Sequence, residues 1–160
     1  MSKVALITGG SRGLGKTLAA FIAGRGNDLI ITARHSAELE TAATALRGLG
    51  VAVDAVVGDI ADPAHRRALV AAVERHGRLD LLINNASILG PSPQPALAAY
   101  PLEMLEQVFA VNVLAPLALI QELLPMLHKT QGLIVNLSSD AAVGAYAGWG
   151  GYGASKAALD

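Results

Sequence analysis

Short runs of apolar residues recur along the chain and alternate with stretches in which apolar residues follow a helical period. The runs are continuous, which is typical of strands that are buried on both faces of a sheet. We predict strands at residues 4–8, 29–32, 51–57, 79–84 and 133–137. Because strands and helices alternate, the pattern indicates a parallel sheet with helices on both faces.

Three of the intervening helices have recognisable ends. The first ends at Gly24 or Gly26, and its apolar stripe consists of Leu14, Leu18, Phe21 and Ile22. The second follows Ser36, which we assign as its N-cap, and ends at Gly48. The third begins at the cap Asp62, with proline at its first position, and ends at a His-Gly pair.

Composition narrows the class of protein. The chain has 160 residues, of which 52% are hydrophobic and 16% are charged, so we expect one domain with a substantial core. A net charge of −1 gives no reason to expect a nucleic acid or a membrane as partner. Polar residues and two prolines interrupt the longest apolar region, residues 113–127, so we expect no membrane span and a cytoplasmic protein.

No metal site is expected. The chain contains no cysteine, which excludes thiolate ligands, disulfides and a cysteine nucleophile. Its histidines lack ligand spacing, and we place them at helix ends or on the surface. They are His35, His65, His76 and His128.

The glycine-rich segment "TGGSRGLGKT", residues 8–17, fits two kinds of nucleotide site. In both, a strand ends, glycines allow a tight turn, and the N–H groups of a following helix face an anion. A phosphate-loop hydrolase would use Lys16 on the phosphates, Thr17 on Mg²⁺ and an acidic residue at a strand end. Only Asp59 is available for that last role, so this interpretation has little support.

A dinucleotide site predicts a ribose-binding residue about twenty positions after the glycine turn. That residue is Arg34, which suits a 2′-phosphate better than a free hydroxyl, and Arg12 adds a second positive charge inside the turn. Strand, turn, helix and arginine all occur in the expected order, so we favour this interpretation over a simple structural turn.

Residues that could carry out chemistry cluster in the second half of the chain. Tyr152 and Lys156 in "YGASK" lie one helical turn apart, and an ammonium group beside a phenol favours its ionised form. Such a tyrosine can exchange a proton with a carbonyl or alcohol oxygen. Ser138 and Ser139 end a strand and could orient that oxygen, although we expect turn formation or helix capping to explain one of the two serines.

Asn112 is a candidate for a proton path. Pro116 lies four residues later and has no N–H to donate to the Asn112 carbonyl. If this segment is helical, the carbonyl is free to bind a water that leads toward Lys156. A proline kink or a helix start explains the same pattern.

Taken together, these motifs resemble the short-chain dehydrogenase/reductase family. The matching segments are "TGGSRGLG" at 8–15, "GDI" at 58–60, "NNA" at 84–86, Asn112, "NLSS" at 136–139 and "YGASK" at 152–156. The resemblance implies a Rossmann-type, doubly wound α/β fold with a parallel sheet of strand order 3-2-1-4-5. It also implies an NADP(H)-dependent oxidoreductase, with NAD(H) as the alternative cofactor, that interconverts a small ketone or aldehyde and an alcohol.

The resemblance also implies residue roles. Tyr152 would be the general acid/base. Lys156 would bind the ribose and place a positive charge beside the Tyr152 phenol. Ser139 would orient the substrate carbonyl, and Asn112 would complete the proton relay. Asn84 would line the cofactor cleft with its neighbours. The implied cofactor-binding residues are Gly9, Ser11, Arg12, Gly13, Leu14, Gly15, Arg34, Asp59, Ile60, Asn85, Ala86, Tyr152 and Lys156.

Two departures from the family pattern matter. Ser87 replaces the glycine that usually follows "NNA", and the sequence given ends at Asp160, where family members continue. We therefore expect residues 1–160 to form a single dinucleotide-binding domain that lacks the family's C-terminal strands and substrate segment. Family members commonly form homodimers or homotetramers through the helix near residues 112–128. The alternatives are a non-catalytic dinucleotide-binding module and, less well supported, a phosphate-loop hydrolase.

Overall fold

The computed structural model describes residues 2–160 and contains a five-stranded parallel sheet of order β3-β2-β1-β4-β5. The strands are β1 (Val4–Thr8), β2 (Asp28–Ala33), β3 (Val53–Val57), β4 (Leu81–Asn84) and β5 (Leu133–Asn136). This confirms the predicted strand order and all five strands. Two begin two residues later than predicted, because residues 51–52 and 79–80 lead into β3 and β4.

Side chains on the two faces of the sheet enter two separate cores. In β1, Val4 and Leu6 join a cluster with the helices on one face, whereas Ala5 and Ile7 join the cluster on the other. Each of these four residues is at most 2% exposed. The continuous apolar runs therefore correspond to strands that are covered on both sides.

Six helices connect or flank the strands. They are α1 (Gly13–Ala23), α2 (Ser36–Arg47), α3 (Pro63–His76), α4 (Leu102–Phe109), α5 (Ala115–Thr130) and α6 (Gly150–Leu159). A π-helical turn, Ala110–Leu114, joins α4 to α5 without a break. Helices α1 and α2 cover one face of the sheet, and α3 and α5 cover the other, which confirms the doubly wound α/β class.

The predicted helix ends are only partly correct. The Asp62 side chain accepts a hydrogen bond from Ala64 N at 2.8 Å, and Gly77 ends α3 in the left-handed conformation at φ 68°. Ser36 is wrong as an N-cap, because His35 occupies that position and its side chain makes no capping hydrogen bond.

The apolar stripe predicted for α1 is also only partly buried. Leu14 and Phe21 are 54% and 57% exposed. Ile22 is buried as predicted, and the rest of the buried face consists of the small residues Gly15, Ala19 and Ala23. Small side chains let this helix approach the sheet closely next to the glycine-rich turn.

The helical run Leu102–Thr130 is long and apolar enough, by length and composition, to cross a membrane. In this structure the α5 part of the run packs against the sheet. Leu119, Leu123 and Leu127 are at most 3% exposed and belong to the core on the α3 side. The same run exposes several leucines on its outer surface, which bears on assembly.

Candidate active site

A cleft opens where the carboxyl ends of the parallel strands meet, the usual ligand position in such sheets. Residues from the segments that follow β1, β2, β3 and β4 line it. They are Gly9, Ser11, Arg12, Leu14, Gly15, Thr32, Ala33, Arg34, His35, Glu38, Gly58, Asp59, Ile60, Asn85, Ala86, Ser87, Ile88 and Val111.

Backbone contacts shape the glycine-rich turn after β1. Gly9 has a φ of 69°, a left-handed conformation that favours glycine. A Cβ atom on Gly15 would collide with the Gly9 carbonyl oxygen and with Asn85 Nδ2. The Asn85 amide donates hydrogen bonds to Thr8 O at 2.8 Å and Gly9 O at 3.2 Å. Asn85 therefore holds the turn in place.

Lys16 and Thr17 do not fit a phosphate-loop site. Both are exposed on α1, and neither lines the cleft. The Thr17 hydroxyl donates to Gly13 O at 3.2 Å, and the Asp59 carboxylate accepts from Ala61 N at 2.9 Å. The side chains that would have to bind phosphate and Mg²⁺ thus lie outside the cleft or are engaged by backbone groups.

Two arginines belong to the lining of the cleft. Arg12 and Arg34 are exposed, and neither has a hydrogen bond or ion pair with another side chain among residues 2–160. Two acidic residues, Glu38 in the first turn of α2 and Asp59 after β3, also line the cleft. Two guanidinium groups facing an open cleft suit a phosphate group.

The Tyr152–Lys156 pair lies on α6, next to the end of β5. Lys156 is 2% exposed, and its Nζ donates to Leu137 O at 2.6 Å. Burial lowers the pKa of Lys156, and the nearby Asp160 carboxylate partly offsets this effect. Lys156 Nζ lies 5.7 Å from the centroid of the Tyr152 ring, within the range of cation–π attraction.

Ser139 lies three residues after the end of β5. Its hydroxyl oxygen accepts from Ala141 N at 3.2 Å and its hydroxyl group donates to Asp140 Oδ1 at 3.1 Å. The capping role that the sequence left open for one serine thus belongs to Ser139, which also remains the candidate for the carbonyl-orienting serine. Ser138 is exposed.

Asn112 is buried at 1% exposure and connects two parts of the site. Its amide pairs with both backbone groups of Ile88 at 2.9 Å and donates to Ser155 Oγ at 2.9 Å. Ser155 in turn donates to Tyr152 O at 2.7 Å. The segment around Asn112 is helical, as the proline argument required, and the side chain reaches the helix that carries Tyr152 and Lys156.

The structure places most, but not all, of the expected cofactor residues at the cleft. Gly9, Ser11, Arg12, Leu14, Gly15, Arg34, Asp59, Ile60, Asn85 and Ala86 line it. Gly13, Tyr152 and Lys156 do not, and Asn84 instead donates to Asn136 Oδ1 at 2.9 Å below the strand ends. The roles of all these residues in binding and catalysis remain predictions.

Several residues that shape the site were not identified from the sequence. Thr8 Oγ1 accepts from Asn85 N and Ala86 N, both at 3.0 Å, and so fixes the segment after β4. Ser155 and His65 are likewise buried and hydrogen-bonded. Thr8 could have been identified because it is a polar residue at the end of an apolar run. No local sequence pattern distinguishes Ser155 or His65 in this way.

Comparison with known proteins agrees with this architecture. The sequence profile of the family described as "short chain dehydrogenase" matches residues 3–160. The 2-(R)-hydroxypropyl-CoM dehydrogenase of Xanthobacter autotrophicus is 38% identical over 163 residues, which cover 99% of this chain and 65% of that protein. The chain spans about three-fifths of the length of the first curated relatives it matches, 60% and 62%.

Solved structures give the same result. The alcohol dehydrogenase of the archaeon Thermococcus sibiricus, complexed with 5-hydroxy-NADP, superposes with a TM-score of 0.92 at 30% identity, covering 99% of this chain and 67% of that one. An NAD⁺-bound xylitol dehydrogenase superposes with a TM-score of 0.91 at 26% identity, covering 98% and 60%. With its parallel sheet, its glycine-rich cleft and a family match over nearly its whole length, the chain belongs to the short-chain dehydrogenase/reductase family of oxidoreductases.

Proposed function

We propose that this chain carries the cofactor site and the acid/base group of an NADP(H)-dependent oxidoreductase that interconverts a ketone or aldehyde and an alcohol. The observation that carries the proposal is the position of Lys156. It is a buried, desolvated ammonium group within 5.7 Å of the Tyr152 ring, on the helix that follows the cleft-forming strands.

The cleft fits a dinucleotide. The absence of a side chain at Gly15 leaves room for the Gly9 carbonyl and the Asn85 amide, so the turn stays tight and the first N–H groups of α1 stay free. Arg12 and Arg34 would bind the 2′-phosphate that distinguishes NADP from NAD. Asp59 and Ile60 would contact the adenine end, and Asn85 and Ala86 the inner part of the cleft.

The proton chemistry is assigned to residues of this chain. The chemistry that a bound nicotinamide would supply is hydride transfer to the carbonyl carbon or from the alcohol carbon. In reduction, Tyr152 donates its phenolic proton to the carbonyl oxygen; in oxidation, it accepts the alcohol proton. Lys156 stabilises the phenolate electrostatically, and Ser139 holds the substrate oxygen. Asn112 fixes the helix below them through Ser155.

Cofactor preference tests the first half of the proposal. NADPH, NADH and Mg-ATP are titrated into the full natural polypeptide, the Arg34→Ala variant and the control Arg67→Ala, which changes an exposed arginine on α3. We expect Arg34→Ala to weaken NADPH binding by about tenfold or more, since a charge-assisted contact is lost. NADH binding should change little in either variant. Binding of Mg-ATP without a response to either nicotinamide cofactor would overturn the proposal.

Turnover tests the second half. NADPH oxidation is followed over a panel of ketones and aldehydes for the parent, for Tyr152→Phe and for the control Tyr100→Phe. The Tyr100 hydroxyl is buried and has no hydrogen-bond partner among residues 2–160, so its removal should be nearly neutral. We expect Tyr152→Phe to lower kcat by about 10² to 10⁴. Saturable NADPH binding without turnover across the panel would instead identify a non-catalytic binding module.

We also propose that the protein forms homodimers or homotetramers and acts in the cytoplasm, where free nicotinamide cofactor is available. Four leucines on the outer surface of the α4–α5 run support self-association. They are Leu102, Leu114, Leu117 and Leu124, which are 69%, 58%, 49% and 39% exposed.

A further inference from the structure

His65 is a buried titratable side chain that the chemistry above does not use. It is the third residue of α3 and is 6% exposed. Its Nε2 lies 2.7 Å from Thr32 Oγ1, a hydrogen bond that connects α3 to the end of β2. Losing either partner of this buried hydrogen bond would leave the other unpaired, which would destabilise the fold.

Gly58 provides the space for this imidazole. A Cβ atom on Gly58 would lie 2.5 Å from His65 Cγ and would also collide with Nδ1, so the ring packs directly on the glycine backbone. Gly58 N donates to Ala33 O at 3.1 Å. The ring therefore contacts the ends of both β2 and β3 at the point where these ends are joined.

Both contacts of His65 lie at the cofactor cleft, whereas His65 itself lies outside the cleft lining. Thr32 and Gly58 are lining residues. The Thr32 carbonyl accepts from Gly10 N at 3.0 Å, which ties the same strand end to the glycine-rich turn. Two residues after Thr32 comes Arg34, and directly after Gly58 comes Asp59.

We propose that His65 is a positioning residue for the cofactor: its neutral ring holds the ends of β2 and β3 so that Arg34 and Asp59 face the cleft, and its protonation weakens cofactor binding. The inference rests on the proposed function, because it assumes that the nicotinamide cofactor binds in this cleft. His65 would thus be a pH-sensitive support behind the lining residues of the cofactor cleft.

Burial, rather than the charges around the ring, favours the neutral form of His65. Burial is the largest influence and lowers the pKa of His65; the carboxylates of Asp62 and Asp59 raise it, and the Arg66 guanidinium lowers it. Protonation makes both ring nitrogens donors. Within residues 2–160 the ring has a single hydrogen bond, at Nε2, and Nδ1 packs on the Gly58 backbone. If Nε2 donates to Thr32 Oγ1 in the neutral ring, protonation adds an Nδ1–H group for which the described residues provide no acceptor. If Nε2 accepts from the Thr32 hydroxyl, protonation turns that acceptor into a donor.

The test measures NADPH affinity by fluorescence titration at about pH 7.5 and about pH 5.5, which bracket the normal range of histidine. The full natural polypeptide is compared with His65→Gln, which can bond to Thr32 but cannot be protonated, and with the matched control His128→Gln in the last turn of α5. The 2′-phosphate itself titrates near pH 6, so the ratio of variant to parent Kd at each pH is used to cancel that effect.

We expect His65→Gln to bind NADPH within about threefold of the parent at the higher pH, and at least about threefold more tightly than the parent at the lower pH. His128→Gln should follow the parent at both. A His65→Gln ratio that is the same at both pH values would overturn the inference, even if the melting temperature changes. If the parent binds neither NADPH nor NADH, the proposed function fails instead.

A second pair of variants covers the case in which His65→Gln does not fold. Thr32→Val removes the hydroxyl that pairs with His65, and Thr32→Ser keeps it. We expect Thr32→Val to weaken NADPH binding several-fold, on the order of one lost hydrogen bond, and Thr32→Ser to restore affinity close to that of the parent. Equal affinity of the two variants would contradict the positioning role.

Discussion

Gly15 shows how a single absent side chain determines the shape of the cleft. A Cβ atom there would collide with the Gly9 carbonyl oxygen and with Asn85 Nδ2, which together form the floor of the glycine-rich turn. We expect Gly15→Ala to push the turn away from the strand end and to weaken NADPH binding by about tenfold or more, equivalent to about 1.4 kcal/mol. Isothermal titration measures this change.

The matched control is Gly24→Ala. Gly24 ends α1 with ordinary helical angles, φ −61° and ψ −10°, and a Cβ atom on it would come no closer than 3.3 Å to Ala20 O. Alanine should fit there, and cofactor affinity should stay unchanged. Equal losses in both variants would indicate general disruption of α1 rather than a contact specific to Gly15.

Asp80 gives the fold a predictable response to acid. Its carboxylate accepts from Val4 N at 2.8 Å and from the Arg78 guanidinium at 2.7 and 2.8 Å. The hydrogen bond from Arg78 is the largest influence and holds the pKa of Asp80 below its ordinary value of 3.8. Because the pKa is lower in the folded state, this contribution is fully present well above 3.8 and is lost as the pH falls through the folded-state pKa.

We therefore expect Asp80→Asn to lower the free energy of unfolding at neutral pH by about 1–3 kcal/mol. The difference from the parent should shrink as the pH falls below 3.8. Urea unfolding across this pH range measures it. Asp54→Asn is the control, since the Asp54–Arg75 pair is more exposed and should change stability by less than about 1 kcal/mol. A difference for Asp80→Asn that does not vary with pH would contradict the assignment.

At the scale of elements, the strands were predictable because each is buried on both faces. Continuous apolar runs located all five, and the alternation with helices indicated their parallel arrangement. The buried face of α1 was not predictable in the same way. Leu14 and Phe21 look like core residues, yet the close approach of α1 to the sheet requires Gly15 and Ala19 on the buried face. Small side chains therefore share the buried face with Ile22, while two of the larger apolar residues face outward.

Of the two N-caps predicted from the sequence, Asp62 is correct and Ser36 is wrong. Asp62 accepts a hydrogen bond from Ala64 N, whereas Ser36 is the first residue of α2 and makes no capping bond. We expect Asp62→Ala to destabilise the fold by about 1 kcal/mol, and Ser36→Ala to change stability by less than about 0.5 kcal/mol. Thermal unfolding of the two variants checks this. A larger effect at Ser36 would show that the sequence-based cap was correct.

At the scale of the whole molecule, the candidate site depends on residues that are distant along the chain. Gly9, Arg34, Asp59 and Asn85 follow four different strands and meet because the strands are parallel, so their convergence followed from the predicted topology. The hydrogen bonds from Asn112 to Ser155 and from His65 to Thr32 did not. They join helices to other elements in three dimensions, and no local pattern encodes such contacts.

Assembly gives a further prediction at this scale. The exposed leucines of the α4–α5 run should be covered by a second copy of the protein. Leu117→Glu is expected to lower the molar mass of the full natural polypeptide in solution, because it would bury a charge in that interface. Light scattering after size-exclusion chromatography measures it. Leu49→Glu, at a leucine 52% exposed on the turn after α2, should leave the mass unchanged; a drop there as well would point to misfolding.

The π-helical turn Ala110–Leu114 determines how α4 is oriented relative to α5. Such a turn holds one more residue than an α-helical turn, and each residue of an α-helix advances the direction of the side chains by about 100°. If the extra residue were not absorbed in this way, it would rotate α5 relative to α4 by roughly that angle and take either Val108 or Leu119 and Leu123 out of the core. The wider turn absorbs the residue, so both helices keep their buried faces. Deleting one residue of the turn should therefore preserve the packing of α4 and α5, whereas it would change the position of Asn112, which contacts Ile88 and Ser155 from within the turn.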